Sequence, residues 1–269
     1  MVGTYGISRC VAALFAESPL HTHFRFDRDV VSSGMLTCCQ SVTLDGYPAP
    51  TVQDIDWLGD RPDVTSRIQH LYILHSIWTA YSPFIQNARN LRRLTIREDR
   101  IKLNFALALT ELPNLYWLHI DECEINAEFD EYLQNFEPGQ IPAAPALRHV
   151  QLTMPRNATY SVDFVSWGML TIGGTSLQRL DIGTSRFVPP ERDEWDHYVR
   201  PIRALQHLEL ETLEREHMAR LVEFLQVGAP LSLTKFYIRD SSLTMDDLQS
   251  LIDQLSRISP HLSVVEVDV

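Results

Sequence analysis

The groups in this sequence that could do chemistry fall into three small sets. His119 and Asp121 stand two residues apart, which puts both on one face of a strand, and Arg97 lies upstream. An imidazole beside a carboxylate is the composition of an acid–base pair. Such a pair needs a pocket to shift its protonation equilibria, and the arrangement of strands below points to an open sheet that supplies none. His21-Thr-His23 with Cys38-Cys39 offers nitrogen and sulfur donors. That spacing matches no zinc pattern, and consecutive cysteines on a strand point to opposite faces. Glu214, Glu216 and His217 lie in a helical stretch and read as a solvated face. There is no P-loop, HExxH or G-x-S-x-G, and Gly173-Gly174 reads as a helix-to-strand turn. The expectation is therefore a protein that is not an enzyme, with no metal and no cofactor.

The elements that would carry these residues repeat along the chain. Nine six-residue segments share the pattern apolar-x-x-apolar-x-apolar: CQSVTL (39–44), IQHLYI (68–73), LRRLTI (91–96), LYWLHI (115–120), LRHVQL (147–152), LQRLDI (177–182), LQHLEL (205–210), LTKFYI (233–238) and LSVVEV (262–267). Fourth and sixth residues alternate with polar ones, the period of a half-buried strand. Between these segments the spacing turns helical, as in 102–112, 126–136, 214–227 and 244–258. Thr244 with Asp247 three residues on is a helix start. Pro113, Pro145, Pro230 and Pro260 stand just before strands, where a helix must stop.

Strand–helix units of this length with short connections require a parallel sheet. A sheet covered by helices on both sides would have strands apolar on both faces. These strands each keep a polar face, so helices cover one side only. The expected fold is α/β, a repeat solenoid shaped as a horseshoe, with about nine parallel strands on the concave face and helices on the convex face. Residues 1–38 read as an N-terminal cap, with a short helix over 7–17 and an edge strand around 23–29, and residues 39–269 as the repeat domain.

With its period and its segment LYWLHIDECEI (115–125), the sequence resembles the leucine-rich-repeat family. That segment carries the strand, Cys123 at the position of the family's asparagine ladder, and the apolar Ile125. Elsewhere the ladder position holds Tyr47, Ser76, Asp99, Pro155, Ser185, Leu213 and Ser241. LPNLYWLHI and SLQRLDI look like the divergent repeats of fungal F-box proteins, although residues 1–38 carry no F-box motif. That resemblance implies a protein-binding module, in the F-box case a substrate receptor of a ubiquitin ligase.

In this fold the third and fifth residues of each hexamer, and the residue after it, project from the concave face. The third column reads Ser41, His70, Arg93, Trp117, His149, Arg179, His207, Lys235, Val264. Six of these nine are Arg, Lys or His, where about one would fall by chance from 23 + 10 such residues in 269. Towards the C-terminus basic and acidic columns run side by side, as in Arg179 with Asp181 and His207 with Glu209 and Glu211. Those charges read as mutually neutralising. Towards the N-terminus basic residues mix with aromatics, the composition of a binding hot spot. The candidate binding residues are His70, Tyr72, Arg93, Arg97, Trp117, His119, Asp121, His149 and Gln151. An acidic or mixed-charge protein segment fits that face. A carbohydrate stacked on Trp117 or Tyr72, with hydrogen bonds to His119, Asp121 and Gln151, is the alternative.

The net charge of −12 opposes nucleic acid as a partner. No apolar run reaches the ~18–20 residues that span a bilayer, and the short apolar stretch after Arg9 does not make a secretory signal. Four scattered cysteines, Cys10, Cys38, Cys39 and Cys123, read as free thiols in a reducing compartment, cytoplasmic or nuclear. Asn157-Ala-Thr159 would accept a glycan only in a secreted chain. The last strand, with Val264, Val265 and Val267, presents an edge through which the protein could self-associate.

Overall fold

The computed structural model describes residues 22–25, 40–45, 62–74, 82–97, 100–101, 103–125, 144–153, 172–183, 187–190, 192, 195–229 and 231–267. The sequence expectations for 7–17, 126–136, His21, Cys38, Cys39, Pro230, Asn157 and the ladder positions Tyr47, Ser76, Asp99, Pro155 and Ser185 lie outside them.

All nine hexamers form strands, and each strand begins at the hexamer's third residue. The sheet runs β1 (Thr22–Arg25), β2 (Ser41–Asp45), β3 (His70–Leu74), β4 (Arg93–Arg97), β5 (Trp117–Asp121), β6 (His149–Thr153), β7 (Arg179–Gly183), β8 (His207–Leu213), β9 (Lys235–Ser241) and β10 (Val264–Val267). These ten strands lie side by side in chain order, every pair parallel. This is the leucine-rich-repeat solenoid, with one strand more than the nine expected. The extra strand is β1, in the region where the sequence reads an edge strand over 23–29, and it pairs Thr22 with Val42. That part of the expected cap therefore continues the repeat sheet.

Hexamer positions one, four and six form the core. Leu91, Leu94, Ile96, Leu115, Leu118, Ile120, Leu147, Val150 and Leu152 are fully buried, and later repeats supply Leu177, Leu180, Leu205, Leu208, Leu210, Phe236 and Ile238 in the same places. A side chain with period two shows one face of the pleat to these residues and the other to solvent.

The helices described are α1 (Pro62–Thr65), α2 (Ser82–Asn87), α3 (Leu103–Thr110), α4 (Trp195–Ala204), α5 (Arg215–Val227) and α6 (Met245–Ile258). In α6, Leu248, Leu251, Leu255 and Ile258 recur at helical spacing and are buried. Its start is a reciprocal cap, with the Asp247 N–H donating to Thr244 Oγ1 at 3.3 Å and the Thr244 N–H to the Asp247 carboxylate at 3.0 Å. Helix α4 carries Pro201 inside it, which removes one hydrogen bond and hides the helix from a reading that treats proline as a stop. Gly174 opens a short 3-10 turn at φ 51°, a conformation that glycine adopts without strain.

The turn after β5 follows the repeat pattern most fully. Glu122 adopts φ 51° and donates its N–H to the Thr153 carbonyl at 2.7 Å. Cys123 is then buried, and its thiol donates to the Asp121 carbonyl at 3.3 Å and to that of Ile96 at 3.5 Å. It bridges consecutive repeats as the ladder residue should. At the equivalent places Leu213 is buried, and Ser241 has a buried hydroxyl with no hydrogen-bond partner.

Candidate functional site

Strand register brings the nine candidate residues onto four adjacent strands. One row aligns His70, Arg93, Trp117 and His149; the next aligns Tyr72, Thr95, His119 and Gln151; the third aligns Leu74, Arg97, Asp121 and Thr153. His70, Tyr72, Trp117, His119, Asp121, His149 and Gln151 are half-buried, whereas Arg93 and Arg97 are exposed. Thr95, between Tyr72 and His119, is buried.

Trp117 sits at the centre of this patch. Its indole meets the rings of His119 and His149 edge-on, with centroids 5.6 and 5.9 Å away. The Arg93 guanidinium lies 5.9 Å from the Trp117 ring centroid and 5.5 Å from that of Tyr116, to whose hydroxyl its Nε donates at 2.5 Å. Tyr116 was not among the expected residues. It is the second residue of its hexamer, one place before the strand begins, where the alternation of a strand gives no direction for a side chain.

Arg97 is held by Asp121 at 3.3 Å and by Glu122 at 3.9 Å. His119 lies 3.3 Å from Thr153 Oγ1. The expectation that nothing on this face shifts a protonation equilibrium is overturned. Burial among its neighbours lowers the His119 pKa below the ordinary histidine value, against the opposing pull of Asp121. The crowded rows around Trp117 penalise the charged form of the ring.

Beyond β6 the face changes character. Asp181 accepts from His149 Nε2 at 2.8 Å and from Arg179 Nε at 2.8 Å, while Arg179 also reaches Glu209 at 3.1 Å. Arg239 Nε donates to the other Glu209 oxygen at 2.6 Å. Burial alone would raise the Asp181 carboxyl, but the hydrogen bonds from His149 and Arg179 outweigh it and hold the group below the usual carboxylate range. His207, 3.6 Å from Glu209, is lowered by burial first and then by Arg179. Its ring stacks on Tyr237 with centroids 5.0 Å apart. Of the paired charges read from the sequence, Arg179 with Asp181 and His207 with Glu209 are present, and their reach is wider than expected: His149, a candidate binding residue, is tied into them.

Two groups among the described residues hold three possible metal donors within 4.8 Å of one another, namely Asp181, His207 and Glu209, and Glu214, Glu216 and His217. In the first, Arg179 and Arg239 already occupy the carboxylate oxygens, so a cation would have to displace two guanidinium groups. The second corrects the sequence reading of a solvated trio at one residue, since the Glu214 and Glu216 side chains are 41% and 68% exposed. The His217 side chain is only 14% exposed and sits 3.4 Å from Glu216 and 3.8 Å from Glu214.

No family model matches this sequence, and no curated protein matches it. Among solved structures, the chain is similar to an internalin (inlF) from Listeria monocytogenes, with 13% identity, a TM-score of 0.43, and coverage of 87% of this chain and 69% of the internalin chain. No helix is long and apolar enough to cross a membrane among the described residues.

Proposed function

We propose that this protein is a non-enzymatic interaction module that binds a protein segment on the concave face over β3 to β6. The observation that carries this reading is the state of Trp117. A large ring is left half-exposed in the middle of the sheet, yet it is fixed by two histidine edges and by the Arg93 guanidinium. A rigid aromatic anchor flanked by arginine loses little conformational entropy on binding, which is how binding hot spots are built. The neighbouring half of the face spends its carboxylates on its own arginines and offers a partner less. The resemblance to the repeats of fungal F-box proteins extends this reading to a substrate receptor.

Affinity capture from cells with the unaltered protein and with Trp117→Ala and Arg93→Ala tests it. Partners held by the concave face should disappear from both variants, and an unchanged set of partners would place the binding site elsewhere. A glycan array with the same folded proteins tests the lectin-like alternative, which requires a saccharide signal that Trp117→Ala removes.

A further inference from the structure

The residues one place before each strand form a second column, at the rim where the strands begin. Gln69, Arg92, Tyr116, Arg148, Gln178 and Gln206 follow one another along it. Each carbonyl accepts from the backbone of the next repeat, as Arg92 does from Tyr116 and Trp117, and Tyr116 from Arg148 and His149. Arg92 and Arg148 are fully available on this rim: both are exposed, and neither makes an ion pair among the described residues. Arg89 is exposed on the turn before β4, where its carbonyl anchors Asn114 at 2.9 Å, and Arg93 flanks it on the face. Within 82–92, 111–116 and 144–148, the stretches leading into β4, β5 and β6, Glu111 is the one acidic residue against Arg89, Arg92 and Arg148.

This is a local excess of positive charge on a protein of net charge −12. Three arginines elsewhere on the sheet are matched by carboxylates: Arg97 by Asp121, Arg179 by Asp181, Arg239 by Glu209. We propose that the rim over β4 to β6 is a docking surface for an acidic peptide segment of a partner protein. Its carboxylates pair with Arg92 and Arg148, and an apolar side chain between them rests on Tyr116. The inference rests on the reading that this end of the face takes a protein, and it adds where the charge of that protein must lie.

Geometry fixes the spacing of the ligand. Arg92 and Arg148 are separated by the Tyr116 repeat, hence by two strand spacings, about 10 Å. A peptide in the polyproline-II conformation rises about 3.1 Å per residue with three residues per turn, so residues three apart share a face at about that distance. Acidic residues at i and i+3 would meet both arginines, with guanidinium and carboxylate suited to two-point hydrogen bonding. The net charge of −12 disfavours a nucleic acid on the same rim, because a long polyanion meets the field of the whole protein.

Fluorescence anisotropy with a labelled peptide of Glu-Ala-Tyr repeats tests the proposal, against the matching Gln-Ala-Tyr peptide and a single-stranded DNA oligonucleotide of similar length. The glutamate peptide should bind and weaken with added salt, and the glutamine peptide should not bind. Arg92→Glu with Arg148→Glu should weaken binding about tenfold or more while leaving the circular dichroism unchanged, because both residues are exposed. No binding of the glutamate peptide, or binding that survives the double reversal, overturns the proposal. So does DNA binding as tight as that of the peptide. Loss on the double reversal with binding retained in Trp117→Ala supports the rim and removes the concave-face reading. Loss in Trp117→Ala alone does the reverse.

Discussion

His149 donates its Nε2 proton to the Asp181 carboxylate at 2.8 Å, and this contact joins two surfaces of different composition. A carboxylate in this state only accepts, so the proton must sit on Nε2. The same imidazole presents its edge to Trp117. Asp181 thereby orients the ring that in turn holds the tryptophan, and the charge-paired half of the sheet buttresses the aromatic half.

Replacing Asp181 with Asn keeps the shape but weakens the bonds to His149 and Arg179. The expected loss is about 1–3 kcal/mol, towards the lower end because the Arg179 side chain is 41% exposed and can turn to water. Urea denaturation measures this. A loss near zero would mean that the pair only arranges the face without stabilising it.

Acid should destabilise the fold in two stages. His119 and His207 have folded pKa values below the ordinary histidine value near 6.5, so the unfolded chain binds protons first as pH falls. Stability therefore declines from about pH 6.5 downward, until the folded values are passed. Asp181 and Asp247 have lowered carboxyl pKa values, so their contribution is whole above the ordinary carboxylate range near 4 and disappears as pH falls through the folded values. Denaturation midpoints measured across this range in the unaltered protein and in His119→Asn with His207→Asn separate the stages. The first should shrink in the double variant and the second should remain.

Leu118→Ala should cost about 2–5 kcal/mol, since it opens a cavity at a fully buried position between neighbouring repeats. Met245→Ala, at a residue 77% exposed, should change stability by less than about 0.5 kcal/mol. Equal effects in the two variants would contradict the assignment of hexamer position four to the core.

Thr244→Ala removes the side chain that caps α6 and should cost about 1 kcal/mol. Thr244→Ser should restore most of it. Thermal melts of the three proteins give the comparison, and a harmless alanine would show that Asp247 caps the helix unaided.

The sheet was legible because hexamer positions one, four and six must be apolar for a strand that is buried on one face, and that constraint marks every repeat. Column membership followed from it, since parallel strands starting at the same hexamer position place Arg93 beside Trp117. Three features were hidden for identifiable reasons. β1 lies outside the hexamer pattern, so the sequence announces an edge strand there but not its parallel register against β2 as a further member of the repeat sheet. Pro201 masks α4. The lowered pKa of His119 depends on how closely Trp117 and its neighbours crowd the ring, a property of packing that spacing alone does not express. Tyr116 is the instructive case among site residues. It could have been found by asking which side chains stand at the strand starts as well as along the strands.

Spacing between repeats is uneven, with 23 residues from Leu71 to Leu94 and 32 from Leu118 to Val150, yet the strand ladders show no offset at either join. All of that variation falls in the segments between the strands and leaves the ladders in step. The connections can therefore gain or lose residues while the rows of the sheet keep their alignment, so connections and face are free to change at different rates. An insertion between strands would lengthen a connection, and a partner on the sheet would meet the same array of side chains.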